Sequence, residues 1–375
     1  MTWTDVGLYI HIPWCRARCG YCDFNTYVLP EDGRSDVVDP YLRAVCEELE
    51  MASRRLGESR VATVYVGGGT PTMMSGEEYA VIMDAVTRNF QVVTDAEITT
   101  EANPETLTPR LLEQIRGIGV NRLSLGMQSA VGHVLASLDR AHTPGRVAQA
   151  VAWARSAGFD NLSLDLIYGT PGESLAEWET TLDAALALAP EHVSAYSLIV
   201  EDGTPLSRRM AAGELPCPDD DDLADKYLMA DATLAAAGLG WYEVSNWALP
   251  GRECRHNMAY WRSTPWWGIG AGAHSFHDGV RWWNHRRPAT YIAHVAQGSP
   301  VEGSERLSAD QARVEAVMLG LRLAEGMDES LLTDTERARA QAYVDSGRLV
   351  RHDGRLMCSL EGRLIADGIV REILD

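Results

Sequence analysis

The chain predicts an α/β fold, a partial (β/α)6, TIM-like barrel followed by a small winged-helix-like α+β domain. Three observations carry this. Strand-like apolar runs and helix-period segments alternate six times between positions 8 and 199, and alternation with short links implies parallel strands joined by right-handed helical crossovers. The pattern fades after Ile199, two units short of a closed eight-stranded barrel. From Ala309 onward the chain reads as short helices around one small hairpin. The 375 residues suffice for one large domain plus a smaller one.

The first strand is the run Leu8-Tyr9-Ile10-His11-Ile12, stopped by Pro13, which cannot donate to a ladder. A polar connection holding Pro30, Gly33 and Pro40 leads to a helix over 41–56, with Leu42, Val45, Cys46, Leu49 and Leu56 at helical spacing. Residues 61–66 form the second strand and run into Gly67-Gly68-Gly69-Thr70-Pro71-Thr72. Then come helix 77–89, strand 96–101, helix 109–118, strand 122–125, helix 144–157, strand 161–167, helix 175–188 and strand 192–199. The acidic run Asp219 to Asp222 reads as a solvated cap on a helix reaching about Ala237. Between 242 and 283 the periodicity is lost, and six of the eleven tryptophans fall from Trp247 to Trp283. With His256, His274, His277 and His285 nearby, this stretch reads as a functional cover. Helices over 309–323 and 334–345, a hairpin of 349–351 with 356–358, and a helix over 360–374 complete the chain. The expected domains are 1–240 (core), 241–300 (cover) and 301–375 (winged-helix-like).

Formal charge is 33 − 53 = −20, with Lys226 the single lysine. Such acidity argues against broad binding to nucleic acid or to an anionic membrane surface. No basic stretch followed by an apolar run opens the chain, so no signal peptide is expected. No apolar run nears the ~18 residues of a membrane span. Of seven cysteines, three form one triplet and Cys46, Cys217, Cys254 and Cys358 are scattered, which predicts a reduced, cytoplasmic protein rather than a disulfide framework.

The triplet is Cys15, Cys19 and Cys22, C-x3-C-x2-C in the loop after the first strand. Three thiolates in one loop can converge on a soft metal centre. That is one fewer than a structural zinc or an ordinary four-cysteine cluster uses, so the fourth position is open or filled from outside the loop. Tyr21 is placed to shield the centre. A structural zinc loop and three unrelated buried thiols are the alternatives. In a parallel sheet, functional loops gather at the carboxyl ends of the strands. Those ends carry the cysteines, the glycine run, Glu101, Gln128 and Asp165. Singly, each also reads as a tight turn or a strand-end polar residue, and Arg140 as polar surface.

The triplet with Tyr21 before its last cysteine resembles the radical S-adenosylmethionine (SAM) superfamily. The resemblance implies that Cys15, Cys19 and Cys22 hold three irons of a [4Fe–4S] cluster and that SAM chelates the fourth. It implies that Gly68, Gly69 and Thr70 meet the SAM amino group. Tyr9, Glu101, Gln128, Arg140 and Asp165 are the further SAM-binding positions. YIHIPWC, GGGTPT, TEANPE, LGMQS, LDRAH and DLIYGTPGES resemble the oxygen-independent coproporphyrinogen III oxidase branch, from about Gly7 to the chain end. Cys254-Arg255-His256-Asn257-Met258-Ala259-Tyr260-Trp261 carries H-N-x-x-Y-W and is followed by Gly268 to His274. That pair is similar to the haem chaperones of the branch. Phe24 stands where the decarboxylating oxidases have a further cysteine, and only six residues precede the first strand motif, which begins at Gly7. Both departures favour a haem carrier.

The implied function is a haem chaperone that binds the cluster, SAM and haem, and passes haem to acceptor haemoproteins such as respiratory enzymes. The alternative is a radical SAM oxidoreductase acting on a tetrapyrrole. His256 is the expected haem ligand, since neutral imidazole suits haem iron. By residue type alone it could equally bond within the core, and the tryptophans could stack on a porphyrin or simply pack. Cys254 is a secondary candidate, and no catalytic residue is singled out. The C-terminal unit is expected to contact protein rather than DNA, and a homodimer is a further expectation.

Overall fold

A computed structural model describes residues 5–30, 32–140, 143 and 145–375. One sheet of twelve strands dominates it. In chain order these are β1 (Asp5–Ile12), β2 (Arg60–Gly68), β3 (Gln91–Ala102), β4 (Arg122–Gln128), β5 (Leu162–Tyr168), β6 (His192–Ser197), β7 (Gly240–Glu243), β8 (Asn246–Ala248), β9 (Trp266–Ile269), β10 (His274–His277), β11 (Val280–Asn284) and β12 (Val301–Arg306). Their order across the sheet is β12-β11-β10-β9-β1-β2-β3-β4-β5-β6-β8-β7, so the sheet stays open.

The six expected parallel strands are present in sequence order, β1 to β6. A seventh, β9, adds to β1 in parallel with Gly7 opposite Trp266. The rest pair antiparallel at the two edges. The stretch that lacked periodicity is therefore mostly short sheet strands, interrupted by the helix Arg255–Trp261. Its strands are too short, and too broken by glycine, for a two-residue period to be readable.

Alternation sorts the strands into two faces. Leu8, Ile10, Ile12, Val64, Val66, Leu123, Leu125, Leu164 and Leu166 are fully buried against the helical layer. The concave face is polar and hydrogen-bonded strand to strand, with Tyr65 reaching Glu101, Ser124 reaching Asp165 and Ser163 reaching His192.

The first long helix, Arg34–Leu56, starts well before the expected position 41 and contains Pro40. Proline forfeits one helical bond there. In the first turn of the helix Arg34 grips Glu78 with both guanidinium nitrogens, at 2.5 and 2.7 Å, and so ties this helix to the next. Capping boxes at Ser75/Glu78 and Ser174/Glu177 start the helices Gly76–Asn89 and Leu175–Leu186. Asp219 caps Asp220–Ala236, as the acidic run predicts. The helix expected from 144 is observed as Arg146–Ser156, with Pro144 outside the described residues. A short helix, Gly132–Ser137, is an addition to the expected elements.

The C-terminal part has its own apolar cluster, including Val317, Leu321, Leu349, Leu356, Ile369 and Ile373. Helices Ala309–Gly320 and Asp334–Asp345 pack with the hairpin Leu349–His352 and Arg355–Cys358. The expected closing helix splits into Leu360–Arg363 and Ala366–Leu374. Its first turn presses on the hairpin so closely that a Cβ at Gly362 would lie 1.9 Å from the Arg348 carbonyl oxygen. Arg363 then reaches back to the larger part, pairing with Asp231 at 2.8 Å and lying over the Trp241 ring at 4.2 Å. Among the described residues, no helix is long and apolar enough to cross a membrane.

Candidate functional site

The cysteine segment is built onto the end of β1. Trp14–Cys15 pairs in parallel with Tyr27–Val28, so Cys15 stands on a short strand and the intervening loop closes on itself. The Gly20 N–H donates to the Leu138 carbonyl at 3.2 Å, and the Leu206 N–H donates to the Gly20 carbonyl at 2.9 Å. The glycine run docks alongside. Gly69 N–H donates to the Ile12 carbonyl at 2.8 Å, and Thr70 N–H to that of Trp14 at 2.7 Å. The run has a packing reason of its own, because a Cβ on Gly69 would lie 2.6 Å from the Trp14 carbonyl oxygen.

All three thiols are free and partly exposed. Thr70 Oγ1 donates to Cys15 Sγ at 3.6 Å, and Arg140 Nη1 donates to Cys19 Sγ at 3.4 Å. Burial pushes the Cys15 thiol up, the Thr70 bond opposes this, and the nearby Cys22 and Cys19 add to it. Cys22 is likewise pushed up by burial. Among the described residues, no three His, Cys, Asp or Glu side chains converge as a site for a single metal ion. A multi-iron cluster makes a different demand, since each thiolate takes its own iron.

Around this loop stand the other expected residues. Glu101 Oε1 accepts from the Tyr65 hydroxyl at 2.9 Å, and Oε2 accepts from the Gly68 N–H at 2.9 Å. Burial pushes its carboxyl up to about 7, against the pull of these two bonds. Asp165 accepts from Ser124 Oγ at 2.9 Å, and burial raises it too. Gln128 sits at φ 66°, where a bulge interrupts the β4–β5 pairing. Such backbone costs energy for a non-glycine residue and concentrates at functional sites. Both Gln128 and Arg140 flank Gly126, where a Cβ would lie 2.8 Å from each of their side chains. Tyr9 stacks on Tyr65 at 6.2 Å and donates to His11 Nδ1 at 3.0 Å. His11 Nε2 in turn reaches the Asn25 carbonyl at 3.0 Å.

His256 lies elsewhere. The helix Arg255–Trp261 plugs the concave face toward the amino ends of the strands, remote along β2 from the glycine run. The Glu97 carboxylate accepts the N–H groups of Arg255 and His256, both at 3.0 Å. His256 Nδ1 is 2.7 Å from Thr63 Oγ1, and Nε2 is 2.8 Å from the Tyr260 hydroxyl. The ring is buried and stacks on Tyr65 at 5.2 Å. Burial, then the charge of Arg122, lowers it to about 3. The sequence expects a haem ligand here, with bonding within the core as the alternative; the structure engages both ring nitrogens, so iron ligation through Nε2 would require the Tyr260 bond to break. Cys254 is also buried, with Sγ 3.7 Å from Glu97. A cavity of about 410 Å³ opens beside this plug, lined by Gly7, Thr63, Tyr242, Arg255 and Met258 among others.

Sequence reading missed Glu97, Arg122 and His192, which anchor the plug and its surroundings. His192 is bonded on one side to Ser163 at 2.8 Å and on the other to Tyr242 at 2.7 Å. The signal was available as polar residues at every second position of otherwise apolar strands, Glu97-x-Thr99-x-Glu101, Ser163-x-Asp165 and His192-x-Ser194.

Residues 9–185 match the Radical SAM superfamily. The chain is 49% identical over 369 residues to the haem chaperone HemW of Mycobacterium tuberculosis (strain ATCC 25618 / H37Rv), covering 98% of this chain and 94% of that protein. With the haem chaperone HemW of Bacillus subtilis (strain 168) it shares 37% over 323 residues, covering 86% and 84%. Among solved structures, coproporphyrinogen III oxidase (HemN) from Escherichia coli superposes with a TM-score of 0.86 over 99% of this chain and 90% of that one. Identity there is 23%, which speaks to the fold alone. The chain therefore belongs to the radical SAM superfamily and, within it, to the HemW haem chaperone family.

Proposed function

We propose that this protein carries haem and delivers it to acceptor haemoproteins from a radical SAM scaffold. The observation that carries this reading is 49% identity over 98% of the chain to a protein named as a haem chaperone. A cytoplasmic setting belongs to the same reading, supported by seven free cysteines. So does the division at 1–240, 241–300 and 301–375, whose last part is supported by a separate apolar cluster.

Cys15, Cys19 and Cys22 would hold a [4Fe–4S] cluster. The donor set fits, being three free thiols in one partly exposed loop with a hydroxyl and a guanidinium aimed at sulfur. A positive charge beside a thiol favours the thiolate, which is the form that binds metal. Bound there with SAM, the cluster would supply one-electron chemistry at its open iron. Gly68, Gly69 and Thr70 would offer backbone and hydroxyl to SAM, and Tyr9, Glu101, Gln128, Arg140 and Asp165 would line the rest of its site. Glu101 orients the glycine run through the Gly68 N–H and keeps a lone pair on each oxygen for a ligand hydroxyl. His256 serves in this arrangement as an anchor for the plug helix, and it would meet haem only if Tyr260 turned away.

The test is a haem titration of anaerobically reconstituted protein, followed by incubation with an apo-haemoprotein. A saturable Soret band that moves to the acceptor is expected. Absence of haem binding would overturn the reading, as would protoporphyrinogen formation from coproporphyrinogen III at catalytic rates.

A further inference from the structure

The antiparallel edge of the sheet carries a surface that none of these roles uses. Trp266 pairs with Phe276 across β9 and β10, and His274 pairs with Trp283 across β10 and β11. Residues opposite each other share a face, as do alternate residues along a strand. Trp266, His274, Phe276 and Trp283 therefore lie on one face, with Arg281 opposite Phe276. This face continues the concave side of the barrel. Tyr260 packs edge-on against Trp266 at 4.8 Å and against His256 at 4.9 Å, and His256 stacks on Tyr65 inside. Trp267 and Trp282 point the other way and are buried in the core, whereas Trp266, Phe276 and Trp283 are only half-buried.

His274 is the histidine this shelf presents. The residue is exposed at the surface with its ring partly covered, and among the described residues no hydrogen bond or ion pair reaches either ring nitrogen. That contrasts with His11, His192 and His256, each bonded at both nitrogens. The backbone is nevertheless fixed, because the His274 carbonyl accepts from Trp266 Nε1 at 3.0 Å. The ring lies over Trp283 at 5.9 Å, and Trp283 rests where a Cβ on Gly303 would come within 2.5 Å of the indole. Burial, then Arg281 and Arg286, lowers the imidazole pKa, a shift toward the neutral form that binds metal.

Charge completes the surface. Arg281 is held by Glu305 at 2.9 Å and Glu315 at 2.8 Å. Arg286 is exposed, and among the described residues no carboxylate pairs with it. Its carbonyl accepts from Asn25 Nδ2 at 2.9 Å, which sets it next to the cysteine loop where Phe24 is 60% exposed. Haem is a flat apolar ring with an iron that takes imidazole and an edge that carries carboxylates. A free imidazole, half-buried indole faces and an unpaired guanidinium match those three features in turn.

We propose that haem docks on this shelf, with His274 as its axial ligand and Arg286 paired to a propionate. The proposal rests on the haem-carrier reading and goes beyond it by naming the site. Ferric haem is titrated into full-length wild type and into His274→Ala and Arg286→Glu, each checked for native circular dichroism. His274→Ala should bind about tenfold more weakly with a displaced Soret band, and added imidazole should restore the wild-type band. Arg286→Glu should weaken binding with the band unmoved. His274→Met, which preserves bulk, should fold and give a spectrum unlike that of wild type. Unchanged affinity and spectrum in His274→Ala would overturn the shelf while leaving the carrier reading intact. Absence of haem binding by wild type would instead remove the carrier reading, and the shelf with it.

Discussion

Arg140 spans two elements, donating from Nη1 to Cys19 Sγ at 3.4 Å and from Nη2 to the Gly126 carbonyl at 3.2 Å. One guanidinium thus ties the loop after β1 to the end of β4. The loop that would bind metal and the strand end that would bind SAM are coupled through it.

The thiols themselves carry the first prediction. Serine offers a hard hydroxyl in place of a soft thiolate. Replacing Cys15, Cys19 or Cys22 by Ser should abolish the broad iron–sulfur absorbance after anaerobic reconstitution. The same change at Cys46, Cys217 or Cys358 should leave it intact. Equal cluster content in Cys22→Ser and wild type would remove the basis for the cluster assignment.

Arg140 supplies a second prediction. Substituting Arg140→Met keeps the three thiols and most of the side-chain volume but deletes the charge. A hydrogen bond to a charged group is worth roughly 1.5–3 kcal/mol, so SAM affinity should fall at least about tenfold, while iron content, with all three thiols kept, falls far less than in the cysteine variants. Equilibrium dialysis of SAM against the loaded protein measures this. Wild-type SAM affinity in the variant would take Arg140 out of the SAM site.

What the sequence disclosed, and what it hid, follows from how locally each signal is written. Residues 61–66 and 161–167 read as strands because their apolar runs are bounded by glycine or helix signals, and β2 and β5 lie there. The four-residue strand Trp266–Ile269 sits between Pro265 and Gly270 and offers no period to count. Cysteine and glycine spacings are local, so the loop and the glycine run are legible in the sequence itself. Glu97 is not, because its partners are the N–H groups of Arg255 and His256, far along the chain. His256 shows the limit most sharply. Its spacing to Tyr260 marks the pair as special, but only the fold reveals that the two bond to each other within the barrel.

From that pairing comes a third prediction. His256→Ala would leave Thr63 and Tyr260 without their partner in a buried setting, and it would open a cavity against Tyr65. Losses of this kind cost about 2–4 kcal/mol. The melting temperature should fall by several degrees while the Soret band of bound haem stays in place. A variant with wild-type stability and a lost Soret band would reverse the assignment and make His256 the ligand after all.

Glu48 gives the last prediction, through pH. It is buried in the helix Arg34–Leu56 and reaches across to the turn that leads into β10. Its Oε2 accepts from the Gly270 N–H at 2.8 Å and from the Tyr291 hydroxyl at 2.6 Å, and its Oε1 accepts from Asn284 Nδ2 at 2.7 Å. Burial pushes the carboxyl up to about 7, outweighing the three donors that pull it down. An unfolded glutamate titrates near 4.5, so between these two values the folded chain keeps a proton that the unfolded chain has lost. Stability from this group is complete below about 4.5 and is lost as pH rises through about 7. Glu48→Gln cannot titrate. The unfolding free energy of wild type relative to this variant should therefore decline from pH 5 to pH 7 and level off above, by up to roughly 3 kcal/mol. Urea unfolding of both proteins at several pH values, with cluster content matched, gives the difference directly. Parallel pH profiles for the two would mean that Glu48 is already ionised in the fold near pH 5 and that its three donors, not its burial, set its charge.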